Sequence, residues 1–208
     1  MLNRIIKRWN WYRNTVAARN SELGLREVKA FDAEDRITKL AESHPDVLHV
    51  FQGIRILDPD RRQGAGEVDT LVVTRFGVIA IETKNWGWDI VAVNGDVAQK
   101  KLVDGGKNKP VIPVIEKKVK HLSRWLRSLT NNSELDVFPL IVLAHPKCTP
   151  SETVLKMRHV TKVDEIHQSI NRLVAGLGQL PVKQIDQITQ TIETFGTFDK
   201  VTYDGGNF

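Results

Sequence analysis

Apolar positions along the chain repeat with two different periods, which separate predicted helices from predicted strands. Near-helical spacing predicts helices over residues 25–43, 114–129, 163–177 and 182–195. The apolar stripe of the second helix consists of Ile115, Val119, Leu122, Leu126 and Leu129. Each of these helices therefore has one side suited to packing against a sheet.

Stretches rich in β-branched residues predict the strands. They cover residues 47–57, 67–74, 78–83, 89–93 and 137–144, with 154–160 as a further candidate. Gly53 suggests a bulge or bend in the first strand, and residues 75–77 are expected to join the second and third as a hairpin. The run over 137–144 is almost uniformly apolar, which is typical of a strand covered on both faces.

The order of these elements predicts one mixed α/β domain around a central sheet, with extra helices at its C-terminal end. Residues 58–66 and 96–110 are expected to be loops because they are rich in polar residues, glycine or lysine. We place the domain at residues 21–197, after a basic amphipathic segment (1–20) and before a loose tail (198–208).

Composition narrows the class of protein. Of 208 residues, 41% are hydrophobic and 26% charged, as in ordinary globular domains. The single cysteine, Cys148, excludes an internal disulfide framework and a zinc cluster built from cysteines. No apolar run approaches the roughly 20 residues that cross a bilayer. We therefore expect a soluble, cytoplasmic protein.

The basic residues are concentrated in two segments. The first 20 residues contain five bases and no acid, which equals the net charge of +5 of the whole chain. Residues 100–127 contain the second concentration; its bases are Lys100, Lys101, Lys107, Lys109, Lys117, Lys118, Lys120, Arg124 and Arg127. Two basic patches on an otherwise neutral body indicate a polyanionic partner.

Residues 1–12 combine an apolar stripe (Leu2, Ile5, Ile6 and Trp9) with bases. Three interpretations fit: an arm that binds nucleic acid, a peripheral anchor at a membrane surface, or a helix that packs on its own domain or on a partner protein. The function is better sought elsewhere in the chain.

The predicted hairpin carries charged residues in otherwise apolar strands. If the chain folds back near Arg75, Asp69 lies beside Glu82, and their side chains approach to about 5 Å. Side chains alternate along a strand, so Glu82 and Lys84 share one face while Thr83 points to the other. Two acids and one lysine should therefore meet at one end of the hairpin.

Adjacent carboxylates repel each other and need a cation. A site of oxygen ligands without Cys or His favours Mg²⁺ or Mn²⁺, with Asp69, Glu82 and the Thr83 carbonyl as candidate ligands. Such an ion would polarise a phosphate and activate a water, and Lys84 would orient that water or stabilise charge on the phosphorus. The alternative is a cross-strand salt bridge at the rim of the sheet.

The chain resembles the nuclease-related domain (NERD) family of the PD-(D/E)xK, restriction-endonuclease-like superfamily. The resemblance rests on three blocks and on the helix after Pro110, within residues 25–143. The blocks are Ala33-Glu34-Asp-Arg-Ile37, Glu67-Val-Asp69-Thr-Leu-Val-Val and Gly77-Val-Ile-Ala-Ile-Glu82-Thr-Lys84-Asn-Trp-Gly87. It implies a restriction-endonuclease-like core, metal-binding roles for Asp69 and Glu82, and a catalytic role for Lys84.

The same resemblance makes Glu34 a further candidate metal ligand, from the first helix. Family members often carry Pro-x-x-Gln at the start of the later helix, whereas this chain has Pro113-Val-Ile-Glu116. Glu116 would therefore either add a ligand or crowd the site with negative charge, and the departure weakens the case for full activity.

Candidate nucleic-acid contacts lie in the second basic patch. They are Lys117, Lys120, Arg124 and Arg127 on the later helix, with Lys100 and Lys101 before it. Trp86 and Trp88 are expected either to stack on bases or to cover the sheet edge. Together these features predict a Mg²⁺- or Mn²⁺-dependent nuclease acting on DNA. The alternative is a weak or inactive nucleic-acid-binding or assembly module with the same fold.

Overall fold

The computed structural model describes residues 22–56, 67–106 and 109–198. The predicted N-terminal segment, the loop over 58–66 and the tail all lie outside these ranges, apart from Phe198. The helices are α1 (Glu22–Glu42), α2 (Lys100–Asp104), α3 (Ile112–Thr130), α4 (Glu152–Leu155), α5 (Ile166–Val174) and α6 (Val182–Phe195). A 3₁₀ turn, Val163–Glu165, precedes α5.

The strands form two sheets. They are β1 (Val47–Ile56), β2 (Glu67–Thr74), β3 (Val78–Lys84), β4 (Trp88–Val93), β5 (Asp96–Gln99), β6 (Val137–Leu143), β7 (Cys148–Pro150), β8 (Val160–Lys162) and β9 (Gly196–Phe198). The large sheet has the order β8-β6-β3-β2-β1-β9, and the small sheet has the order β5-β4-β7.

The large sheet is mixed, which confirms the predicted α/β class. β1, β2 and β3 pair antiparallel, whereas β3 pairs parallel with β6, and β6 with β8. Apolar side chains of α3 and α6 pack on one face of the sheet, and those of α1 and α5 pack on the other. β6 contributes to both cores, as its uniformly apolar sequence predicts.

The hairpin between β2 and β3 is confirmed, and one side chain organises its turn. The Thr74 hydroxyl oxygen accepts from the Phe76 and Gly77 N–H groups and donates to the Gly77 carbonyl. The next turn is confirmed as well, because Asn94 and Gly95 both adopt positive φ, as a two-residue hairpin turn requires. Each turn thus joins two consecutive strands that are neighbours in a sheet, β2 with β3 and β4 with β5.

Gly53 adopts a φ of 61°, so the backbone of β1 is irregular where the sequence indicates, and the β1–β2 register also shifts between Val47 and His49. Two other expectations need correction. The expected loop over 96–110 contains β5 and α2. The expected strand over 154–160 is wrong, since the chain there leaves α4 and only enters β8 at Val160.

The buried side of α3 also differs from the prediction at its last position. Leu129 is 45% exposed, whereas Thr130 is buried and donates its hydroxyl to the Leu126 carbonyl. Asn131 adopts the left-handed conformation directly afterwards and ends the helix. Within the residues that the structure describes, no helix is both long enough and apolar enough to span a bilayer.

Candidate active site

The two acids of the hairpin lie side by side at one end of the large sheet. Thr70 and Ile81 form the last backbone pair of β2 and β3, so the next positions along this register are Asp69 and Glu82. Asp69 shares its face with Leu71, and Glu82 shares its face with Ala80. Both acids therefore point toward the face that α3 covers, as the alternation of the strands predicts.

Asp69 is held by the backbone of the neighbouring strand. Its Oδ2 accepts a hydrogen bond of 2.7 Å from the Thr83 N–H. Burial, followed by repulsion from Glu82, raises the pKa of Asp69 to about 6, although the Thr83 hydrogen bond and two lysines oppose the shift. The negative charge of Asp69 is therefore only partly compensated by its surroundings.

Glu82 is the most enclosed acid of the pair and binds two ammonium groups. It is 8% exposed. Lys84 Nζ lies 2.7 Å from Oε1, and Lys118 Nζ lies 2.6 Å from Oε2. Burial alone would raise the pKa of Glu82, but the two lysines outweigh burial and lower it. Glu82 is thus the anionic centre of a four-residue charged cluster: Asp69, Glu82, Lys84 and Lys118.

Lys118 is the residue that the sequence interpretation missed at this site. The charge pattern identifies Lys118 only as one of the bases of the second patch. Lys118 nevertheless lies three residues after Ile115 and four before Leu122, and both of these residues are fully buried on the inner side of α3. Helical spacing alone would therefore have placed Lys118 facing the sheet.

A buried acid holds the start of α3, the helix that carries Lys118. Asp96, on β5, is 9% exposed. Its Oδ2 accepts from the Val111 N–H, and its Oδ1 accepts from the Ile112 and Val97 N–H groups. Asp96 thereby satisfies the first amides of α3 and places a negative charge at the positive end of the helix.

The structure confirms that Glu82 and Lys84 share a face and that Thr83 does not. The Thr83 side chain is partly buried on the opposite side, where its Oγ1 has no hydrogen-bond partner. The Lys84 side chain is 22% exposed, so its ammonium group bonds Glu82 and still borders solvent. A ligand role for the Thr83 carbonyl stays a prediction.

Glu34 and Glu116 come from two helices that pack on opposite faces of the large sheet. Glu34 is half-buried on α1, the helix that packs against the other face of the sheet. Glu116 is exposed on α3. Burial lowers the pKa of His159, and the negative charge of Glu116 opposes that shift. Within the described ranges, no three Asp, Glu, His or Cys residues gather as a metal-binding group, and ligand roles for Glu34 and Glu116 stay predictions.

The candidate nucleic-acid contacts differ in solvent exposure. Five of the six are exposed, namely Lys100 and Lys101 on α2 and Lys117, Lys120 and Arg124 on α3. Arg127 is half-buried, and its Nε donates to the Leu135 carbonyl at 2.9 Å. Arg127 therefore also ties the end of α3 to the segment leading into β6.

The two tryptophans after Lys84 have different environments. Trp86 is partly buried and packs against the core, as expected for a residue that covers the sheet edge. Trp88 is 64% exposed and adopts a φ of 71°, which is uncommon for a bulky residue. Lys147 Nζ lies 5.8 Å from the centre of the Trp88 ring. Trp88 thus offers a flat apolar surface next to a positive charge.

The large sheet is mixed, and its central hairpin carries an aspartate, a glutamate and a lysine at one end. This arrangement is that of a restriction-endonuclease-like α/β domain. The profile of the nuclease-related domain (NERD) family matches residues 29–144, more than half of the chain, and the chain therefore belongs to this family. That membership indicates a nuclease-related function. No curated protein and no solved structure matches the chain.

Proposed function

We propose that this protein is a divalent-metal-dependent nuclease that hydrolyses phosphodiester bonds in DNA. The observation that carries the proposal is the convergence of Asp69, Glu82 and Lys84 on one face at the end of the β2–β3 hairpin. Membership of the nuclease-related domain family supports the same reaction class.

Asp69 and Glu82 are the residues that would hold the ion, and the chemistry of the cluster fits a hard dication. Both ligands are carboxylates, and burial together with repulsion by Glu82 raises the pKa of Asp69, so a nearby dication would favour its ionised form. Mg²⁺ or Mn²⁺ would supply Lewis-acid polarisation of the phosphate and a more acidic bound water.

Lys84 performs the task that needs a positioned cation. Its ammonium group is anchored on Glu82 Oε1 and borders solvent. From this position it stabilises negative charge that develops on the attacked phosphate, or orients the attacking water. The Glu82 hydrogen bond restricts the Lys84 side chain before substrate arrives, which reduces the reorganisation needed in the reaction.

The substrate is proposed to lie across α3 and α2. Lys117, Lys120 and Arg124 line the exposed side of α3, and Lys100 and Lys101 begin α2. Contacts with phosphates alone give binding that is sensitive to salt and largely independent of sequence. Trp88, only four residues beyond Lys84, would stack on an unpaired base beside the reacting phosphate.

Cleavage assays on supercoiled and linear DNA test the proposal. Purified protein is incubated with Mg²⁺, with Mn²⁺ or with EDTA, alongside Glu82→Gln and Lys84→Met. We expect cleavage by the wild type with metal, no cleavage with EDTA, and a rate loss of at least about 100-fold in each variant. Cleavage that persists in both variants would assign the activity to another site or to a contaminant.

A second function is favoured by one specific observation. Both Glu82 oxygens already bind ammonium groups, so the cluster of two acids and two lysines is formally neutral without any metal. A neutral cluster suits a nucleic-acid-binding or assembly module that retains the fold without turnover. Salt-dependent DNA binding without cleavage in any metal would support this second function over the first.

A further inference from the structure

One carboxylate in the site holds two cations that come from different parts of the fold. Lys84 follows Glu82 by two residues on the same strand, so their proximity follows from strand geometry. Lys118 comes from α3, 36 residues away, and its ion pair with Glu82 is enclosed, with side chains 16% and 11% exposed. The fold therefore brings the second cation to this site through the packing of α3.

The second ammonium group also acts on Asp69. Lys84 alone is enough to balance the charge of Glu82, so the charge of Lys118 is left to compensate Asp69. Of the two lysines, Lys118 has the larger lowering effect on the pKa of Asp69. The Lys118 ammonium group thus favours the negative charge of both acids, as a cation bound between them would.

We propose that Lys118 is the resident cation of the Asp69–Glu82 pair in the metal-free protein, and that a divalent ion displaces its ammonium group from Glu82. This inference rests on the proposed metal site. A dication shared by both acids would lie next to a Glu82 oxygen, where the two ammonium groups bound to this carboxylate repel it. Lys84 has a proposed role in the reaction and stays in place, so Lys118 is the ammonium group that leaves.

Displacement has a consequence for substrate binding. An ammonium group on a four-carbon stem is a mobile point charge with three donors, and it binds phosphate oxygens well. Once released from Glu82, Lys118 gains a partner when a nucleic-acid phosphate lies next to the ion. Metal and nucleic acid should therefore bind cooperatively, each favouring the other by the same factor.

Binding of Mn²⁺ alone tests the proposal, with titration calorimetry and the Mn²⁺ paramagnetic resonance signal as readouts at low ionic strength. The variants are Lys118→Met, Lys118→Arg and the exposed control Lys183→Met on α6. Met keeps the apolar stem and suits a helix, while Arg keeps the charge if loss of the charge harms folding. We expect Lys118→Met to bind Mn²⁺ at least about tenfold more tightly than the wild type, because one competing cation is gone. Lys118→Arg and Lys183→Met should change the affinity by less than about threefold.

The outcomes separate this inference from the proposed nuclease. If the wild type binds Mn²⁺ and cleaves DNA, but Lys118→Met binds the ion no more tightly, the inference fails and the nuclease stands. If only Lys118→Met binds Mn²⁺, the inference holds while the metal-dependent function of the natural chain fails. If neither protein binds the ion, both fail.

Discussion

The Asp69 carboxylate accepts a hydrogen bond of 2.7 Å from the Thr83 N–H, just past Thr70 and Ile81, the last backbone pair of β2 and β3. A side chain therefore continues the contact between the strands where the backbone ladder stops. The bond fixes Asp69 beside Glu82, even though the two carboxylates repel each other. The raised pKa of Asp69 means that its ionised form is disfavoured in this position.

Asp69→Asn should make the protein more stable at neutral pH while removing the proposed metal ligand. Burial and Glu82 raise the pKa of Asp69 from its ordinary 3.8 to about 6, so the folded protein binds this proton more tightly than the unfolded chain. The ionised form then carries a penalty that develops as the pH rises from about 4 to about 6 and is fully present above that range. We expect the variant to gain about 1–2 kcal/mol in the free energy of unfolding near pH 7, measured with urea.

The gain should shrink near pH 4, where Asp69 is protonated in the folded wild type as well. The exposed acid Asp186 supplies the control, since Asp186→Asn removes a charge without relieving burial. A gain of equal size at both pH values, or in the control, would contradict the assigned cause.

Glu82→Gln should have the opposite effect on stability. The variant leaves the ammonium groups of Lys84 and Lys118 facing a neutral amide in a partly buried cluster. We expect the free energy of unfolding to fall by about 2–4 kcal/mol near pH 7. Because the two lysines hold the pKa of Glu82 below its ordinary value of 4.5, the stability that Glu82 contributes is present above about pH 4.5 and is lost at lower pH.

Urea unfolding at several pH values checks this, with the exposed Glu152→Gln as a control. The stability difference between wild type and Glu82→Gln should narrow as the pH falls through the lowered pKa of Glu82. A difference that stays constant down to about pH 3 would show that packing, and not the ion pairs, makes Glu82 important.

Short-range patterns predicted the parts of the site that lie on one hairpin. Alternation along β2 and β3 placed Asp69, Glu82 and Lys84 on one face, because the turn at residues 75–77 sets the register between two consecutive strands. The position of α3 in the sequence followed from its helical periodicity. These features depend on contacts between neighbouring segments.

The features that the sequence did not predict depend on contacts between distant segments. The Lys118–Glu82 pair joins residues 36 positions apart, and Asp96 binds the start of α3 across 15 and 16 positions. β5 was hidden in a stretch rich in lysine and glycine, since a four-residue strand is too short to show a period. Spacing along α3 identifies the inner side of the helix, but it does not identify which strand that side meets.

Asp96→Ala should weaken the attachment of α3 and, through it, the site. Asp96 receives three backbone N–H groups, two of them at the start of α3, and the variant leaves these amides without their acceptor. We expect a loss of about 2–3 kcal/mol in the free energy of unfolding. Amide hydrogen exchange should increase first over residues 111–116, because these amides depend on the start of the helix.

The exposed acid Asp104, eight residues later, is the matched control, and Asp104→Ala should change stability by less than about 0.5 kcal/mol. Protection at the start of α3 that survives in Asp96→Ala would show that core packing by Ile115 and Leu122 holds the helix without the cap.

The exposed side of α3 should contribute to nucleic-acid affinity without affecting the charged cluster. Lys120 and Arg124 lie one turn apart and are exposed, whereas Lys118 faces the sheet. We expect the double variant Lys120→Ala/Arg124→Ala to bind DNA more weakly for every sequence tested. The slope of log affinity against log salt concentration should fall by about 2 for duplex DNA, since two phosphate contacts are lost. Fluorescence anisotropy over a series of salt concentrations measures both quantities.

Two further variants complete this experiment. Lys183→Ala removes an exposed base from α6 that lies outside the second basic patch, and it should leave the salt slope unchanged. Trp88→Ala removes an exposed aromatic surface but no charge, so it should weaken binding of single strands by about 1–3 kcal/mol with no change in slope. An unchanged slope in the α3 double variant would move the nucleic-acid surface elsewhere on the protein, because phosphate contacts cannot be lost without loss of counterion release.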